Sequence, residues 1–113
     1  MDARLPAHLE VSGLIRSVGA DGGFGMVLSK GERDAGTILL VLVHNGANAR
    51  IYERMPELDG TRQWRCTRRQ DPADPADFQA YLDRRKAQDP DVWIVELDVA
   101  RAERFIGLEP DKG

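Results

Sequence analysis

Lys30 and Asp34 stand four residues apart around Gly31. A lysine and a carboxylate held by a tight turn can orient a small anion or exchange a proton. The same pair can also be a loop ion pair worth under about 1 kcal/mol, since Gly31, Asp34 and Gly36 are residues that a strand connection uses anyway. Arg85, Asp91 and Glu96 extend the candidate ligand or anion set. Glu96 interrupts the apolar run VWIVEL. Its carboxylate must therefore face solvent, pair with a base such as Arg85, or line a cleft. A site exists here only if Lys30, Arg85, Asp91 and Glu96 converge on one pocket.

A second set is basic. The chain carries a net charge of −3, but residues 50–69 hold six arginines against Glu53, Glu57 and Asp59. On a hairpin, Arg50, Tyr52, Arg54 and Arg65 fall on one face, where guanidiniums neutralise phosphates and an aromatic ring stacks on bases. Ordinary solvated charge on a strand explains the same residues. An acidic C-terminal part and a pI near 5.3 oppose long-range attraction to a polyanion.

Other chemistries lack their residues. The chain has Ser12, Ser17 and Ser29 and no G-x-S-x-G elbow. GGFGMVLSKG has no G-K-[ST] and places Leu28 where a dinucleotide fingerprint needs its third glycine. His8 and His44 are the two histidines and have no metal-pair spacing. Cys66 is the one cysteine, which leaves no intrachain disulfide and no cysteine-based metal site. The aspartates of DPADPAD and DPD lack EF-hand spacing, and helix capping explains them. The sequence thus calls for no metal and no cofactor. Metal-dependent nucleases share the coarse element order, but they need Asp/Glu-x-Lys on a core strand, and the corresponding residues are Glu53-Arg54-Met55.

The elements that must position these residues are legible from periodicity. Val11, Leu14, Ile15 and Val18 recur at helical spacing after Pro6, and Gly19 and Gly22-Gly23 end that helix. Phe24 to Lys30 alternates as a strand. Ile38 to Val43 is apolar throughout, which requires cover on both faces. Arg50–Met55 and Arg62–Arg68 read as a hairpin across Glu57-Leu58-Asp59-Gly60. Pairing Met55 with Arg62 sets Ile51 opposite Cys66 and Glu53 opposite Trp64. Asp74 and Pro75 start a helix in which Phe78, Tyr81, Leu82 and Arg85 share a face. Val92 to Leu97 is the fifth strand, followed by a short turn carrying Phe105 and Ile106.

Three segments together resemble a known family: GGFGMVLSKGERDAGTILLVL, the basic hairpin ending near Trp64, and YLDRRKAQDPDVWIVELD. The chain is similar over residues 4–106 to short alphaproteobacterial proteins classed as a domain of unknown function. The most specific part is Lys30-Gly31-Glu32 with Ala35-Gly36, paired with Arg85 and the run Asp89-Pro90-Asp91-Val92-Trp93. Glu32 stands where that family more often has Asp, a change of capping bond. The family carries no assigned activity, so the resemblance implies a compact cytoplasmic domain with helices packed on a sheet.

The expected fold is α+β in the order α-β-β-β-β-α-β: a mixed, mainly antiparallel five-stranded sheet with helices on both faces. Residues 1–113 are expected to form one compact domain with a flexible tail from about 107. No stretch approaches the roughly 18 apolar residues of a spanning helix, and the cytoplasm is the default compartment. The leading functional expectation is a non-enzymatic binding module that self-associates as a homodimer, with Trp93 on an edge strand as the interface. A nucleic-acid or phosphate binder is the second expectation, disfavoured for nucleic acid by the acidic balance, and a metal-dependent hydrolase is the third.

Overall fold

The computed structural model describes residues 5–56 and 58–108. Helix α1 (Ala7–Ala20) leads to β1 (Phe24–Ser29), β2 (Ile38–His44), β3 (Ala47–Pro56) and β4 (Arg62–Arg69). Helix α2 (Pro75–Gln88), β5 (Trp93–Asp98) and a 3₁₀ turn (Ala102–Ile106) complete the chain. The five strands form one sheet in the order β1-β5-β2-β3-β4. The β2–β5 pair is parallel, as expected of a crossover through a helix, and β1–β5, β2–β3 and β3–β4 are antiparallel. No helix among the described residues is long and apolar enough to cross a membrane.

The six apolar residues of β2 are all buried, and alternation divides them between two cores. Ile38, Leu40 and Leu42 pack with Val11 and Val18 of α1 and with Trp93, Val95 and Leu97. Leu39, Val41 and Val43 pack with Phe78 and Leu82 of α2 and with Ile51 and Ile94. The cover expected for each face is thus the cover found. Helix α2 starts as its sequence dictates: Pro75 occupies the first turn and the Asp74 carboxylate accepts a bond from the Asp77 N–H, satisfying one of the donors left over at a helix start.

Two expectations are corrected. First, β5 lies inside the sheet between β1 and β2, so Trp93 is not on an edge and is 4% exposed. Apolar residues on both faces are best satisfied between neighbours, and Trp93, Ile94, Val95 and Leu97 are buried on the two faces of β5. The connection from β1 to β2 accordingly passes the end of β5. Second, the β3–β4 register is offset by one residue: Met55 pairs with Gln63, Arg54 with Trp64, Glu53 with Arg65 and Tyr52 with Cys66. A one-residue slip exchanges the faces. It sends Tyr52 and Trp64 together toward the α1 core, and a bulge between Ile51 and Tyr52 accommodates Thr67. The chain stays held through Leu108, whose N–H donates to the Glu103 carbonyl. The remainder of the expected flexible tail lies outside the described residues, as does Glu57 of the expected hairpin turn.

Candidate functional site

The loop carrying Lys30 and Asp34 is built against the turn that carries Asp91. The Glu32 N–H donates to the Asp91 carbonyl at 2.9 Å. The Trp93 indole Nε1–H donates to the Glu32 carbonyl at 2.7 Å. The Glu32 carboxylate folds back to accept the N–H groups of Asp34 and Ala35. Gly31 and Gly36 allow this approach, because a Cβ on either would sit 2.2 or 2.5 Å from the Asp91 carbonyl oxygen and within 3 Å of the Trp93 ring. The two segments that carried the family resemblance are thus the two halves of one clasp, and its job is to seat the end of β5.

Gly31→Ala should therefore cost about 1–3 kcal/mol through overpacking against backbone. Gly13→Ala, in α1 with nothing near its missing Cβ, should gain about 0.5–1 kcal/mol from helix propensity. Urea midpoints of the two variants moving in the same direction would contradict the clasp.

The clasp brings the Lys30 turn beside Asp91, but the other members of that set go elsewhere. Asp34 is exposed near His8 and Arg33. Arg85 does not reach Glu96; it is committed to Glu53. Glu96 lies mid-strand in β5, opposite Met26. Among the described residues no three of His, Cys, Asp or Glu come together as metal ligands would.

The basic hairpin is divided as well. The corrected register puts Arg65 on the face opposite Arg50, Tyr52 and Arg54, and that second face is covered. The 3₁₀ turn carries Glu103, whose carboxylate accepts from Arg50 Nη2 at 2.7 Å and from the Tyr52 hydroxyl at 3.2 Å. Helix α1 carries Glu10, which pairs with Arg54 at 2.9 Å, while the Arg54 guanidinium lies 4.6 Å from the Trp64 ring centre. The Arg50 guanidinium, outweighing the cost of burial, holds Glu103 below the usual carboxylate range. Burial, helped by the Glu103 charge, pushes the Tyr52 hydroxyl up to about 12.

On the other face, Glu53 is buried and accepts from four donors. Thr67 and Tyr81 hydroxyls each approach to 2.6 Å, and Arg85 contributes Nε at 3.0 Å and Nη2 at 2.9 Å. Burial alone would raise this carboxyl. The combined hydrogen bonds and the guanidinium charge outweigh it and hold Glu53 below its ordinary value. Neither buried glutamate was expected from the sequence to matter: each stands next to an arginine, in Tyr52-Glu53-Arg54 and Ala102-Glu103-Arg104, and no local pattern marks it as buried.

The exposed chemistry lies at β1. Among the described residues, its outer edge has no neighbour in the sheet. Phe24 and Met26, 56% and 49% exposed, stand opposite Asp98 and Glu96 on the α2 side, beyond the reach of the α2 core. Val27 and Leu28 are exposed as well. FGMVLS has no charged residue and no proline, and its one edge-blunting device is a bulge between Val27 and Ser29. The opposite edge, RQWRCTRR, is protected by its arginines.

A family model described as "Protein of unknown function (DUF1491)" matches residues 5–107. A crystal structure of a DUF1491 family protein from Caulobacter crescentus is similar with 31% identity and a TM-score of 0.78, over 95% of this chain and 98% of that one. An NMR structure of a DUF1491 family protein from the same organism shares 31% identity with a TM-score of 0.75, over 96% and 97%. A solution structure of protein Atu0922 from A. tumefaciens shares 27% identity with a TM-score of 0.74, over 93% and 94%. No curated protein matches the chain.

Proposed function

The chain belongs to the DUF1491 family of proteins of unknown function, and we propose that it serves as a non-enzymatic interaction module, pairing with a second copy of itself along the free edge of β1. The observation that carries this reading is an uncharged, apolar strand left open at a sheet edge, with Phe24 and Met26 beside it in solvent. Such an edge offers a row of unused N–H and C=O groups to an antiparallel partner. A two-fold axis through β1 joins two identical surfaces, and a strand without charge meets its own copy without repulsion. The arginine-rich β4 edge would repel its copy. A reducing compartment such as the cytoplasm suits the single, exposed thiol of Cys66.

Light scattering on the purified protein should report twice the 12.6 kDa chain mass at micromolar concentration. Met26→Lys should return it to the monomer, because two lysines then meet across the axis, while Glu96 opposite each lysine preserves the protomer fold. A monomeric wild-type protein, or a dimer that survives Met26→Lys with unchanged affinity, would reject the β1 interface.

A further inference from the structure

On one side of the sheet, α1 lies over β1, where a Cβ on Gly25 would meet Ile15 at 2.8 Å. On the other side, α2 packs on Leu39, Val41, Ile51 and Ile94, which belong to β2, β3 and the start of β5. Phe24, Met26 and Glu96 share that second side but lie beyond the α2 core. We propose that this uncovered strip of β1 and β5 docks one amphipathic helix of a partner protein, whose apolar face carries a basic residue that pairs with Glu96.

The sheet has room for such a helix. Strands stand about 4.8 Å apart, so the five strands span about 19 Å between the outer two. Helices pack about 8–10 Å apart, so one face of this sheet accommodates two, and α2 is the first of them. Strand β1 has six residues, a length of about 20 Å that a helix of about four turns matches.

Charge selects the partner. Glu96 has Met26 beside it on β1 and Val41 beside it on β2, with Ile94 two residues earlier on the same face. It is half-buried, and its carboxylate makes no hydrogen bond or ion pair among the described residues. Asp98, the next carboxylate along this face, is buried and accepts the N–H groups of Asn45 and Gly46. An unpaired carboxylate among apolar side chains is unfavourable, and covering it with apolar surface alone would make it more so.

A helix that covers the strip must therefore bring a cation to Glu96. Arginine suits it best, because its forked N–H groups meet both carboxylate oxygens. The other contacts are apolar side chains at i, i+3, i+4 and i+7 laid over Phe24 and Met26. A net charge of −3 favours the approach of a basic partner. Helices α1 and α2 of a second copy have their apolar faces committed to its own cores, which leaves the docking to a different protein. Self-pairing uses the backbone edge of β1 and this site uses a side-chain face, so neither requires the other.

The test is an amide-resolved NMR titration of the full chain with two synthetic peptides of about four helical turns. Each carries leucine on one face and neutral glutamine and alanine elsewhere. The residue at the centre of the leucine face is arginine in one peptide and glutamate in the other. The arginine peptide should give saturable shifts centred on residues 24–29 and 94–98, and its own carbon shifts should turn helical. The glutamate peptide should bind at least about tenfold more weakly. Glu96→Gln keeps the shape of the side chain, so it should abolish the preference for arginine and leave the light-scattering mass as in wild type. A dimer that ignores the arginine peptide would overturn this proposal and spare self-pairing; a monomer that binds it would do the reverse. Equal binding of both peptides to wild type, strand shifts in the bound peptide, or a preference that persists in Glu96→Gln would also overturn it. Overhauser contacts from Met26 to residues 109–113 in the free chain would do so too, by giving the strip to the chain's own tail.

Discussion

Replacing Glu103 with alanine should destabilise the protein by about 3–5 kcal/mol, the loss seen when one partner of a buried ion pair is removed. The Arg50 and Glu103 side chains are 11% and 3% exposed. Without the carboxylate, the Arg50 guanidinium stays under the 3₁₀ turn with a charge that is largely shielded from solvent, and the Tyr52 hydroxyl loses its acceptor. The urea midpoint reports the loss. A double variant, Arg50→Met with Glu103→Leu, should recover most of it, because the cost lies in the orphaned charge rather than in an absent attraction. A Glu103→Ala loss under about 1 kcal/mol, the level of a surface pair, would mean that the 3₁₀ turn does not hold Arg50 out of water.

The same glutamate shows where sequence reading stops. The two-sided burial of Ile38–Val43, the α1 stripe, the Phe78/Leu82 face and the Asp74-Pro75 helix start are each written in a few neighbouring residues, and all were legible. Strand order was not. Placing β5 between β1 and β2 is decided by competition among distant strands for the two-sided interior position, and that moved Trp93 from a supposed edge into the core. The hairpin register depended on which of two adjacent residues faced inward, and one step exchanged the surroundings of Arg65, Trp64 and Glu53. Arg50 read as free positive charge because its partner lies 53 residues away, on a turn whose docking no local pattern announces. Phe24 and Met26 were visible as one strand face, but their exposure follows only from where α2 stops.

Glu53→Ala should cost about 3–5 kcal/mol as well, for a different reason on the other face. Glu53 gathers donors from β4 and α2, and its removal strands the Arg85 guanidinium, 22% exposed, together with the Thr67 and Tyr81 hydroxyls. Helix α2 then keeps Phe78 and Leu82 as its buried anchors on the sheet, so hydrogen exchange in α2 should accelerate more than in α1. Glu53→Gln separates charge from shape: the amide still accepts from a hydroxyl, but it faces Arg85 without a negative charge, and an intermediate loss is expected. Acid provides the same test on the unaltered chain. The Glu53 and Glu103 carboxyls are both held below their ordinary value of 4.5 when folded. Each therefore contributes stability that is complete above that value and is lost as pH falls through the lowered folded pKa. Wild-type stability should decline from about pH 4.5 downward, and the slope should be shallower in Glu53→Gln, which has one fewer carboxylate to protonate. Equal acid slopes in the two proteins would show that Glu53 does not titrate with folding.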